Sequence, residues 1–293
     1  MSQTGPWSTG VGSLPFTELE AARRVAFACD RPFLPELPGL DPDDGLIRRP
    51  FAGLLAPGDL LEANLRAPLE TALVAPVVLG PGAAIPGLLK VQLAGPCVLG
   101  SYVRDARGRP LGASPEGRAL ALARVEALAR ALLARSPGAI VFLDEPGLAS
   151  NVEDLARAVE RVRAAGAARV GVHDCGPDFR RALAAKPDLL AFDFASFGES
   201  VGRGSDALAP FVRAGGALSW GVVSTLPGGT RHFDAGRVAG SVREAARKLV
   251  GDEAGALLGR SLVTPACGTA LLPPDEAVLA HEHAGAVARW LRG

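Results

Sequence analysis

Val170-Gly171-Val172-His173-Asp174-Cys175-Gly176 begins as a short apolar strand and ends in a His-x-Cys pair. Side chains two apart in an extended strand point the same way, so His173 and Cys175 face one side together. Imidazole and thiolate are the usual zinc ligands, and zinc takes four groups, or three plus a substrate. An apolar run that stops at chemistry-bearing residues is the pattern of a parallel α/β sheet. There the strands are buried and the reactive groups sit at their C-terminal ends.

The same pattern recurs on both sides of this stretch. Ser8 to Ser13 reads as a first strand, and Phe16 to Ala28 as a helix with Leu19, Ala22, Arg23 and Ala26 three or four apart. Phe33 to Pro38 reads as a strand, prolines being tolerated at strand ends. Residues 38–58, rich in Pro, Gly and Asp, read as a long loop, and Leu60 to Leu73 as a helix. Leu88 to Leu93 is a strand, and Ser114-Pro115 opens the clearest helix of the chain, to Arg135. Serine caps well, and proline suits the first helical position. Ala139 to Leu143 is the next strand, and Asn151 with Asp154 forms a capping-box-like start to a helix ending near Gly166. Strands at Arg169–Val172, Leu189–Phe192, Ala217–Val223 and Ser261–Thr264 alternate with helices at Pro177–Ala185, Asp206–Ala214 and Asp234–Val250. A last helix begins after Pro273-Pro274 and ends at Trp290. Eight strands alternating with helices predict parallel pairing through right-handed crossovers, and hence an α/β fold, a single (β/α)8 TIM barrel over residues 1–293. No Gly-x-Gly-x-x-Gly links a strand to a helix, which argues against a dinucleotide site.

Composition narrows the function classes. Acidic and basic residues balance at 31 each, which does not fit a nucleic-acid or anionic-membrane partner. No basic segment leads into a long apolar run, and no stretch of about 18 uncharged apolar residues occurs. The expectation is a soluble, cytoplasmic protein. The four cysteines, Cys29, Cys97, Cys175 and Cys267, are scattered, unlike a disulfide framework.

At the strand ends the sequence offers Ser13, Glu36, Gln92, Asp144 with Glu145, His173 with Cys175, Asp193, Ser224 and Cys267. Polar residues follow apolar strands wherever loops begin, which accounts for most of Ser13, Gln92 and Ser224. It accounts less well for two of four cysteines in this set, since cysteine is more often buried and inert. His173, Cys175 and Cys267 form a soft N/S set. Asp193 reads either as a helix cap or as a fourth ligand, and the full set favours zinc over magnesium or calcium. Asp144-Glu145-Pro146 reads either as solvated loop or as a grip for a substrate ammonium, with Pro146 holding Glu145 extended. Gly12-Ser13 offers backbone N–H groups for a substrate carboxylate, or is an ordinary turn. Cys29 and Cys97 read as packing residues. His281 and His283, two apart on the last helix, point to different faces and read as surface residues.

In this order the motifs Gly12-Ser13-Leu14-Pro15, Leu143-Asp144-Glu145-Pro146, His173-Asp174-Cys175, Leu189 to Asp193 and Pro265-Ala266-Cys267-Gly268 resemble the C-terminal catalytic domain of cobalamin-independent methionine synthase. Related barrels include corrinoid:thiol methyltransferases and uroporphyrinogen decarboxylase. The resemblance implies a zinc-dependent methyltransferase acting on a small-molecule thiol, most naturally homocysteine. It carries the metal ligands to His173, Cys175, Asp193 and Cys267. It also implies an amine contact at Asp144, a second acid at Glu36, and a carboxylate contact at Gly12-Ser13, with Glu145 adjoining. The family has Glu where Asp193 stands. Its catalytic His after the seventh strand has no counterpart in Val222-Val223-Ser224-Thr225-Leu226, and His232 is the candidate replacement beside Asp144. The basic residues that follow the Cys-Gly turn in the folate-dependent enzymes are also missing, which turns the donor expectation toward a corrinoid protein. Two rival readings share the fold. One is a metal-free decarboxylase using Arg104, Arg107 and Arg109. The other is a non-catalytic barrel that binds zinc or a methyl carrier.

Overall fold

The computed structural model describes residues 5–51, 89–105, 107–146 and 151–293. Among the described residues seven strands form one parallel sheet: β1 (Trp7–Ser8), β2 (Lys90–Ala94), β3 (Ile140–Asp144), β4 (Arg169–His173), β5 (Leu189–Asp193), β6 (Ala217–Val223) and β7 (Leu262–Pro265). Their spatial order is β1-β7-β6-β5-β4-β3-β2, so sequential strands are neighbours and β1 returns beside β7. That is the order of a curled, barrel-like α/β sheet.

The expected eighth strand is only partly formed. Phe33 and Glu36 make isolated parallel bridges, to Lys90 and Ser13 respectively. Backbone bonds Leu34 N–H to Lys90 O (2.8 Å) and Leu14 N–H to Glu36 O (2.9 Å) tie this segment to both edges of the sheet. Pro32 and Pro35 have no N–H to donate, which keeps the pairing from running on. The first strand is also shorter than expected: Ser8 to Ser13 yields only Trp7–Ser8 paired with β7. At Gly10 the backbone passes so close to Phe33 that an added Cβ would meet its ring at 2.2 Å.

Alternation along the strands divides the apolar residues between two faces. Ile140, Phe142, Leu189, Ala191, Ala217 and Leu262 pack together with Trp7 on the concave side. Val141, Leu143, Leu190, Phe192, Leu218 and Trp220 face the helices. These helices are α1 (Leu19–Phe27), α2 (Pro96–Tyr102), α3 (Pro115–Arg135), α4 (Val152–Ala164), α5 (Arg180–Ala184), α6 (Phe194–Phe197), α7 (Ser200–Arg203), α8 (Ser205–Arg213), α9 (Ala235–Val250), α10 (Ala254–Gly259) and α11 (Pro274–Arg292). The Ser114-Pro115 start holds: Ser114 Oγ accepts from Gly117 N–H at 3.0 Å.

The capping box at Asn151 does not form. Asn151 sits in the left-handed region (φ 32°) without a side-chain cap bond, and Asp154 is drawn instead to Arg118 (3.3 Å) and Arg157 (3.0 Å). The long loop carries two 3-10 turns, Pro42–Asp44 and Arg49–Phe51, held by the buried ion pair of Arg49 with Asp44 at 2.8 Å. The helix expected over Leu60–Leu73 lies outside the described residues. His281 is not a surface residue: it is buried and stacks on Phe33 with ring centres 5.4 Å apart. Among the described residues no helix is long and apolar enough to cross a membrane.

Candidate metal centre

β4 ends at His173, and the chain then turns at once. Asp174 is buried and accepts Gly176 N–H at 2.8 Å, a tight local turn that brings Cys175 back over the sheet. β7 ends at Pro265, and Ala266 N–H bonds to Val223 O at 2.9 Å, which sets the start of the loop carrying Cys267. The result joins residues 92 positions apart: Cys175 Sγ lies 3.6 Å from Cys267 Sγ and 3.1 Å from His173 Nε2. One ligand atom from each of the three residues lies within 4.8 Å of the others. His173 is buried and both cysteines are half-buried, so the cluster is reachable from one side.

The donor chemistry fits a soft divalent cation such as zinc: one imidazole nitrogen and two sulfurs. The Cys175 thiol donates toward Cys267. This bond, against opposing burial and with help from the His173 charge, brings Cys267 down to about 6. The same bond, with burial, pushes Cys175 well up. Burial opposes charge on His173, but the Asp144 carboxylate and Cys267 outweigh it and its pKa is raised. One thiolate is therefore already favoured where a cation would sit. His173 Nδ1 lies 3.4 Å from Asp144 Oδ1, and a carboxylate against the far ring nitrogen is the usual support where a histidine holds a metal.

The other expected residues lie outside this cluster. Asp193 is outside the three-residue cluster, and its carboxylate caps α6 by accepting Ser196 N–H at 2.8 Å. Glu36 is buried and takes Ser13 Oγ–H at 2.6 Å, with Arg49 Nη1 3.8 Å away. Gly12 N–H is committed to Gln92 Oε1 at 2.9 Å. Glu145 spends both oxygens on the first N–H groups of α2, Cys97 (2.9 Å) and Val98 (2.7 Å). His232 lies exposed in the turn after β6 with φ 55°, and it is not part of the three-residue cluster. Ser224 lines a cavity of about 960 Å³ together with Ser196, Val222 and Arg237; none of the three cluster residues lines it. Arg104 and Arg109 are engaged within their own hairpin, by Gly108 O (3.1 Å) and Asp105 (2.8 Å).

Sequence reasoning passed over Lys90 and Arg49, both almost completely buried. Lys90 carried a readable signal: it is the one charge in the apolar run Leu88–Leu93, two residues from Gln92 and so on the same face. Arg49 had none, because its partner Asp44 comes from the same irregular loop.

Two buried carboxyls predict an acid-favouring stability profile. Burial pushes Glu36 up to about 7 from 4.5 despite Arg49 and Ser13, and Glu145 up to about 8 despite its two N–H donors. A carboxyl with a higher pKa in the folded chain binds its proton more tightly there. These two carboxyls make stability fall as pH rises from 4.5 through 7 to 8, and buried His281, lowered to about 4, offsets part of that fall below 6.5. Lys90, lowered by burial to about 8, adds a rising slope only above that value. Urea midpoints of metal-free protein should drop between pH 5 and pH 8, with a shallower drop in Glu36→Gln. A flat wild-type profile contradicts this.

No family model matches the chain, and no curated protein matches it. Solved structures that resemble it include a methyltransferase from Methanosarcina mazei, at 11% identity and TM-score 0.45, covering 71% of this chain and 61% of that one. A 2,3-dimethylmalate lyase of the PEP mutase/isocitrate lyase superfamily follows at 17% identity and TM-score 0.32, covering 60% of this chain and 68% of that one. A phosphofructokinase-2 variant from Escherichia coli matches at 16% identity and TM-score 0.26, covering 55% and 62%. The chain thus spans about 61% of the length of the methyltransferase it is similar to.

Proposed function

We propose that this chain is a zinc-dependent enzyme that transfers a methyl group to a small-molecule thiol, with homocysteine the best-fitting acceptor. The observation that carries the reading is the convergence of His173, Cys175 and Cys267 at the C-terminal ends of β4 and β7. A (β/α)8 barrel places its chemistry at that end of the strands. In this reading those three residues hold Zn2+. Asp193 completes the set only by giving up its bond to Ser196 N–H, which makes it the weakest donor and the one to yield its place. When bound, the ion lowers the pKa of a coordinated thiol, ordinarily near 8.5, so that the nucleophilic thiolate is present at neutral pH.

The remaining chemistry belongs to the side chains. Glu36 Oε1 is buried without a hydrogen-bond partner among the described residues, and Asp144 Oδ1 meets only the His173 ring, at a long 3.4 Å. Buried carboxylate oxygens call for donors, and the ammonium of an amino-acid thiol supplies them. Ser13, bonded to Glu36, keeps that carboxylate aimed, while Glu145 holds α2 against the strand ends and contributes positioning. The donor is a methyl-corrinoid protein or methyl-folate, separable by assay with each.

The test is metal analysis of protein purified without chelator, followed by X-ray absorption at the zinc edge before and after adding homocysteine. The expected result is about one zinc per chain and one more sulfur in its shell after addition. Protein that neither carries nor takes up zinc rules the reading out.

A further inference from the structure

Behind the candidate ligands, the concave side of the sheet holds a chain of polar contacts that metal ligation alone does not require. Lys90 is 1% exposed. Its Nζ donates to Gly10 O at 2.7 Å and to Gln92 Oε1, and it stands 4.6 Å over the Phe142 ring. Burying an ammonium among apolar neighbours is costly. The Asp144 and Glu36 carboxylates offset part of that cost.

Gln92 Oε1 receives a second donor, Gly12 N–H, at 2.9 Å. Two donors on one side of an amide decide which end is oxygen. The NH2 end is then the only one left for Asp144, and Nε2 meets Oδ2 at 2.6 Å. With Oδ2 held, Oδ1 faces His173 Nδ1 at 3.4 Å, and the far nitrogen of the ring lies against both Cys175 Sγ (3.1 Å) and Ala266 O (3.2 Å). The strand register supports the same alignment, because Asp144 and His173 are paired neighbours on β3 and β4.

We infer that Lys90 and Gln92 are positioning residues of the metal centre: they lock the Gln92 amide, which fixes Asp144, which in turn orients the His173 ring toward the two sulfurs. This rests on reading the cluster as a zinc site. Partners of this kind around a ligating histidine are worth about 10- to 100-fold in metal affinity.

Gln92→Glu is the most direct variant. It keeps the size of the side chain and an oxygen for Lys90 and Gly12 N–H, but turns a second oxygen on Asp144. Zinc affinity, measured by competition with a chromogenic chelator on the full chain, should weaken by about 10-fold or more. Asp144→Asn should weaken it to a similar degree. Adding Gln92→Glu to Asp144→Asn should cause no further loss, since the first acts only through Asp144. Lys90→Met, a second route should Gln92→Glu not fold, should weaken binding by a smaller factor and likewise have no effect in the Asp144→Asn background. A merely structural role would lower thermal stability while leaving zinc affinity in place. Unchanged affinity in Gln92→Glu or Lys90→Met, or a full further loss on top of Asp144→Asn, overturns the inference while the zinc reading stands. A wild-type chain that binds no zinc overturns both.

Discussion

Replacing Cys267 with serine should abolish zinc retention, lowering affinity by more than about 100-fold, and reduce thiol methylation to background. Loss of a thiolate that would touch the ion costs more than loss of a supporting partner, itself worth about 10- to 100-fold. Serine is nearly isosteric, but its hydroxyl does not ionise near neutral pH, whereas Cys267 is brought to about 6 chiefly by the thiol of Cys175. The residue is half-buried in a loop, so the fold should survive: unfolding of the metal-free variant should match that of the metal-free wild type. Elemental analysis, a thiol-methylation assay and thermal unfolding read out the three effects. Full-stoichiometry zinc together with undiminished transfer in Cys267→Ser would falsify the proposed chemistry.

Trp220→Ala should destabilise the chain by about 3–5 kcal/mol, the range for truncating a large buried aromatic. Trp220 is 0% exposed. It packs edge-on against Phe192 (5.5 Å between ring centres) and Phe194 (5.3 Å). The neighbouring backbone has little room to collapse into the void. At Gly221 an added Cβ would meet Phe192 O at 2.6 Å and the Ala266 Cα at 2.8 Å, so β6 already lies hard against β5 and the start of the Cys267 loop. A cavity that cannot collapse falls at the costly end of the range. For a chain of this size the loss corresponds to a melting point lower by roughly 10 °C. A denaturant midpoint showing less than about 1 kcal/mol of loss would mean that β6 is packed far more loosely.

How much of this was legible in the chain can be read residue by residue. Alternating apolar strands and helices, ended by Gly and Pro, determined the parallel α/β order, because burial on both faces leaves period and length as direct signals. The Ser114-Pro115 helix start was local chemistry and needed no tertiary information. His173 and Cys175 were readable as a pair because strand geometry holds two positions together. Cys267 was joined to that pair by residue chemistry and family resemblance, whereas the contact itself was not readable from the strand pattern. The 3.6 Å approach of Cys267 to Cys175 depends on how the ends of β4 and β7 converge. The commitment of Gly12 N–H to Gln92, of Glu145 to α2 and of Asp193 to Ser196 N–H depends on which neighbour reaches each group first. The sequence by itself determined which residue types stand at which strand ends. Only the tertiary structure decided which of those groups are already satisfied by the protein and which remain open, because a hydrogen bond is specific over a few tenths of an ångström and a pattern of residues is not.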